Sequence, residues 1–144
     1  FIFSPEEIFG KGDDYMFKIE GTTISLTRGD RCTITLKVHP KESENEEFIF
    51  HTGDKVSFGV YGKKELEKPP ILFKEILVDE PTNILNICLE SSDTKVGPML
   101  NKPIEYWYEI QLNYYQTIVG YDESGPKLFM LYPEGEVSDE SGNN

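Results

Sequence analysis

The chain has 144 residues, of which 38% are hydrophobic and 12% aromatic, so it is long and apolar enough to bury the core of one domain and is not disordered as a whole. It carries 26 acidic residues against 14 basic ones, a formal net charge of -12. That balance repels a phosphate backbone at long range and argues against nucleic acid as a partner, while leaving room for basic proteins or a hard cation such as calcium.

No apolar run reaches the length of a membrane span, so no membrane association is expected. The first ten residues, "FIFSPEEIFG", are apolar but precede the first well-patterned strand. Residues 1–14 therefore read as an N-terminal arm that docks on its own domain, residues 15–134 as the domain itself, and the polar residues 135–144 as a disordered tail.

Within the domain, period-two alternation dominates. "RCTITLKVH" sets Cys32, Ile34, Leu36 and Val38 on one face and Thr33, Thr35 and Lys37 on the other. The loop "PKESENEEF" is charged and solvated. "DKVSFGVYG" repeats the pattern through Val56, Phe58 and Val60. "ILFKEILV" is a strand whose alternation is interrupted by Lys74 and Glu75, which predicts a bulge or bend. "NILNICLE" places Leu85, Ile87 and Leu89 inward, and one helical turn from Ser92 to Val96 is expected before Gly97 and Pro98 end it. "PIEYWYEIQLN" points Ile104, Tyr106, Tyr108, Ile110 and Leu112 inward, and Glu105, Trp107, Glu109, Gln111 and Asn113 outward. "YQTIVGYDESGPKLFMLYPEG" predicts a C-terminal hairpin with strands near 115–121 and 127–132. About 7–9 strands joined by short turns give an all-β chain, an antiparallel β-sandwich.

The tripeptide Arg28-Gly29-Asp30 matches the signal by which adhesion ligands engage receptors. The chain itself supplies a plainer account. "GDRCTITL" from Gly29 and "GDKVSFGV" from Gly53 share a glycine, an aspartate, a basic residue and a hydroxyl ahead of a strand face, and "GDDYMFKI" from Gly12 is a looser copy. Glycine supplies the positive φ of a tight turn and aspartate bonds nearby backbone amides, so the tripeptide reads as strand-opening chemistry.

Catalytic groups do not converge in the sequence. His39 and His51 flank the acidic loop without metal-ligand spacing, and Cys32 and Cys88 read as free thiols, Cys32 as inert packing. The acidic cluster Asp13-Asp14 and the run Glu42 to Glu47 lack the alternating spacing of a calcium loop. No cofactor, metal or catalytic residue is therefore assigned. Glu105 and Glu109, with Trp107 between them, form the pattern of a sugar subsite, and Tyr114 and Tyr115 follow as further aromatics. A tryptophan on a polar strand face gains little unless something covers it, which makes Trp107, Tyr114, Tyr115, Glu105 and Glu109 the candidate interface.

The order "TISLTRGDRCTITLKV", "GDKVSFGVYGK", "YWYEIQLNYYQTIVGYDESGPKLF" resembles the N-terminal immunoglobulin-like domain of phage baseplate upper proteins and related prophage tail components of Gram-positive bacteria. The corresponding positions are Arg28 to Asp30, Asp54 to Val60, Tyr106 to Leu112 and Thr117 to Gly120, within a match over roughly residues 20–132. The resemblance implies an immunoglobulin-like fold and a non-enzymatic structural protein of a virion tail, in the host cytoplasm before assembly. Other phage tail proteins, or further copies of the chain, are the partners it implies. The linker and attachment helices of a full baseplate upper protein are absent. A carbohydrate-binding sandwich that stacks sugars on surface aromatics is the alternative, and a small hydrolase using Glu105 and Glu109 a third reading.

Overall fold

The computed structural model describes residues 3–12, 18–20, 22–40, 48–62, 69–97, 101–121, 123 and 125–134, with side chains from Thr22 onward except at 39 and 40. The protein is mainly β. Its strands are β1 (Phe3–Gly12), β2 (Lys18–Glu20), β3 (Thr23–Thr27), β4 (Cys32–Pro40), β5 (Lys55–Tyr61), β6 (Leu72–Leu77), β7 (Leu85–Leu89), β8 (Ile104–Leu112), β9 (Gln116–Val119) and β10 (Leu128–Tyr132). A helical turn, α1 (Ser91–Thr94), follows β7.

One sheet runs β1-β4-β7 and the larger one β2-β3-β10-β8-β5-β6, with β9 also on β8. The alternation in β4, β7 and β8 produces what it predicts: Ile34, Leu36, Val38, Ile87 and Ile110 are fully buried, with Leu89 and Tyr108 close behind. Side chains of both sheets form one core cluster, in which Phe58 lies 5.5 Å from Tyr108 and 6.1 Å from Phe129, ring centre to ring centre. Each such aromatic ring removes some 150–250 Å² from water, which makes it a principal source of the driving force. The Tyr108 hydroxyl, deep in that core, donates to Thr22 O at 2.5 Å.

Three expectations need correction. The sheets are not purely antiparallel, because β10 runs parallel to β3, pairing Phe129 with Ile24 and Leu131 with Leu26. These two strands are distant in sequence, so no hairpin turn dictates their relative direction. The C-terminal hairpin is also different: β9 folds back on β8, with Leu112 opposite Gln116, while β10 pairs with the first half of β8. The tight turn at Asn113-Tyr114, with φ of 52° and 69°, closes β8 onto β9 before the chain reaches the Gly125 turn.

Third, β6 has neither bulge nor bend. It runs against β5 in unbroken register from Lys55↔Leu77 to Val60↔Leu72. Lys74 occupies an inward position because its ammonium reaches Asp93 of α1 at 3.0 Å, so a charge there is satisfied and alternation continues. The N-terminal segment docks on its own domain as a strand: β1 pairs along β4 from Phe3↔Pro40 to Gly12↔Cys32, with a register shift between Pro5 and Glu7. The Gly12 copy of the turn motif beyond position 12, the acidic loop at 41–47 and the tail at 135–144 lie outside the described residues.

Candidate functional site

The Arg28-Gly29-Asp30 turn is a structural joint. Gly29 adopts φ +90° and its counterpart Gly53 φ +95°, the left-handed region that the shared motif requires. Gly29 N–H donates to Thr94 Oγ1 at 3.0 Å, and the Thr94 hydroxyl reaches Asp30 O at 2.8 Å. Arg28 is turned into the protein, with Nε on Val96 O and Nη2 on Gly97 O, each at 3.2 Å. In the second turn, Asp54 Oδ2 accepts from His51 N–H at 2.9 Å, the amide bonding predicted for the motif's aspartate.

Alternation along β8 leaves Glu105, Trp107 and Glu109 on the outer face of the large sheet, each half-buried, while Tyr106 and Tyr108 face the core as expected. The next strand supplies the neighbours: Tyr61 lies opposite Trp107, and Gly59 opposite Glu109. Tyr121, just past β9, packs on Trp107 with ring centres 5.7 Å apart and planes inclined by 53°. The Tyr61 ring folds back across Gly59, so close that a β-carbon there would stand 2.9 Å from its hydroxyl. Beyond Glu109 lies Gly120, whose β-carbon would come 3.6 Å from Glu109 Cβ. Glu109 thus sits between two glycines, beside Tyr61, on the strand that carries Trp107.

Burial pushes the Glu109 carboxyl above its ordinary value. The Tyr61 hydroxyl is raised as well, by burial first and then by the nearby Glu109 charge. Trp107 Nε1 is shielded from water and has no hydrogen-bond partner among the described residues. An unpaired buried donor costs about 1–3 kcal/mol.

The predicted interface divides into two places. Tyr114 and Tyr115 are exposed at the β8–β9 turn, where Lys55 Nζ lies 5.8 Å from the Tyr114 ring centre. Trp107 is seven residues back along β8, roughly 20 Å away at the rise of an extended strand. The aromatic companions of Trp107 are therefore Tyr61 and Tyr121, which the sequence reading did not select. Tyr61 was accessible from the outward phase of "DKVSFGVYG", whereas Tyr121 lies beyond a strand end and carries no periodic signal.

Glu105 and Glu109 share a face but stand four residues apart, roughly 13 Å along the strand. Cys32 is buried and its thiol is pushed up to about 12, first by burial, then by Asp30 and Cys88; Cys88 is exposed, and both are free. His51 is exposed, and the side chain of His39 lies outside those described. Among the described residues no group of three or more His, Cys, Asp or Glu is placed to hold a metal ion, and no helix is long and apolar enough to cross a membrane. No protein-family model, curated protein or solved structure matches the chain.

Proposed function

We propose that the chain is a non-enzymatic, immunoglobulin-like structural domain of a phage or prophage tail, of the baseplate type, that assembles through protein contacts on its outer sheet face. The strand order supports the fold part of this reading: β1-β4-β7 against β10-β8-β5-β6 parallels the A-B-E and G-F-C-C′ sheets of immunoglobulin-like domains. The observation that carries the function part is the Trp107–Tyr121 pair on an outward strand position. Tryptophan and tyrosine are favoured anchors of protein interfaces, and large rings gain little on a solvated face otherwise.

Gel filtration with light scattering on the wild type and on Trp107→Ala tests it. A concentration-independent oligomer that dissociates on substitution supports assembly through this face. A monomer in both variants removes self-assembly and leaves an unlike tail protein as the partner.

A carbohydrate-binding role is the second reading, favoured by one arrangement: an aromatic pair next to Glu109, which lies between two glycines. Titration with oligosaccharides, followed through the fluorescence of the one tryptophan, tests it. Saturable quenching that Tyr121→Ala abolishes supports the glycan reading over assembly.

A further inference from the structure

Strand β6 ends the large sheet, and among the described residues no strand pairs with its far side. The phase of its backbone follows from one hydrogen bond. Val78 N–H donates to Asp54 O at 2.9 Å, and the register then alternates along the pair. Leu72, Lys74 and Ile76 direct their backbone groups toward β5; Phe73, Glu75 and Leu77 direct theirs toward the open side. The side chains of those same three residues are exposed, Phe73 at 49% and Leu77 at 55%. The open edge thus presents N–H and C=O groups without a strand partner among the described residues, beneath an apolar, acidic, apolar row.

Such an edge is a template for another strand, and proteins ordinarily blunt it with charges. Here the inward Lys74 is neutralised by Asp93 at 3.0 Å, so it does little to repel an incoming chain. Glu75 does oppose a second copy: antiparallel pairing of β6 with itself about Glu75 sets two glutamates opposite each other.

We propose that the open edge of β6 accepts an extended segment of an unlike protein whose alternate residues read apolar, basic, apolar, opposite Phe73, Glu75 and Leu77. Main-chain hydrogen bonds supply the affinity, and the two exposed side chains with the Glu75 carboxylate supply the selection. The net charge of -12 draws a basic segment to the surface. The site is the rim of the sheet, two strands from β8: Phe73 shares the outer face with Glu109 through Gly59, and the open backbone groups distinguish it from the Trp107–Tyr121 contact.

The test uses the full chain labelled with nitrogen-15 and two synthetic nine-residue peptides. Both alternate threonine with outward residues; one carries valine, lysine, valine and the other valine, glutamate, valine. The lysine peptide is expected to shift the amides of Phe73, Glu75 and Leu77 and to slow their hydrogen exchange roughly tenfold or more, as protection by a new ladder does. Glu75→Lys should transfer the preference to the glutamate peptide. Glu75→Pro should abolish binding of both without disturbing β5, since the N–H it removes faces outward. Failure of both peptides at millimolar concentration, or equal binding of the two, overturns the proposal. So does protection of the three amides that grows with protein concentration without peptide, which marks a second copy as the occupant. Repeating the titration on Trp107→Ala separates this edge from the outer-face contact, because that substitution leaves β6 intact.

Discussion

Arg28 and Glu134, 106 residues apart in the chain, meet with Nη1 3.3 Å from Oε2, and both side chains are largely withdrawn from water. The guanidinium also holds the carbonyls of Val96 and Gly97, so one side chain ties the turn after β3 to the loop after α1 and to the chain beyond β10. A receptor that reads arginine and aspartate side chains finds the first already engaged. Arg28→Ala should destabilise the fold by about 2 kcal/mol, the cost of losing several hydrogen bonds to a charged group. Urea unfolding measures it. Cell spreading on surfaces coated with wild type and with Asp30→Glu should not differ; a difference would restore the adhesion reading.

Tyr108 supplies a second long-range tie, its hydroxyl donating to Thr22 O while its ring packs on Phe58. Burial pushes that hydroxyl well above the ordinary phenol value, so it stays protonated and able to donate throughout the neutral range. Tyr108→Phe keeps the ring and removes the donor, leaving the Thr22 carbonyl without it. A loss of about 1 kcal/mol is expected, with unchanged slope in urea.

The residues that alternate strictly, in β4, β7 and β8, were legible because each strand has one covered and one more open face; β5 was legible from Val56, Phe58 and Val60, although Ser57 and Gly59 between them are buried as well. β3 was not singled out as a strand although Thr23 to Thr27 alternates polar and apolar residues, because the run is only five residues long; its middle, Ile24, Ser25 and Leu26, is buried throughout. The parallel pairing of β3 with β10 is a property of the closed domain, with no local sequence to encode it. Lys74 misled for a related reason: a charge at an inward position looks like a break until the ion pair with Asp93 is known, and that partner lies on another element. On the outer face, Trp107 was legible from its phase, and its neighbour Tyr121 was brought there by the return of β9 along β8.

The Lys74–Asp93 pair should also be visible in the pH dependence of stability. Desolvation works against the Asp93 charge, but the Glu90 N–H and Lys74 outweigh it, and the carboxyl is held below its ordinary value of 3.8. A depressed folded value means that the pair's contribution is complete above the unfolded value and disappears as pH falls through the folded one. Asp93→Asn should therefore be less stable than wild type at pH 7, and the gap should narrow below about pH 4. Urea midpoints taken from pH 7 to pH 2 measure this; a gap independent of pH would remove the ionised pair as its cause.

Tyr114 is held at φ +69°, next to Asn113 at +52°, in a turn where Tyr115 N–H donates to Leu112 O at 3.3 Å. Asparagine tolerates this region, but a large side chain strains there by about 1–2 kcal/mol. The Lys55 ammonium near its ring returns only ~0.5–1 kcal/mol at an exposed site. Tyr114→Gly creates the asparagine-glycine pair that such hairpin turns favour, and should stabilise the domain by about 1 kcal/mol, seen as a higher Tm. Asn113 would keep its ties to Lys55 and Asp54, so the turn itself survives. If light scattering then finds the stabilised variant associating less than wild type, the strained tyrosine is a contact residue retained against its cost to folding. Equal association by a more stable protein would confine the interface to the Trp107 end of β8.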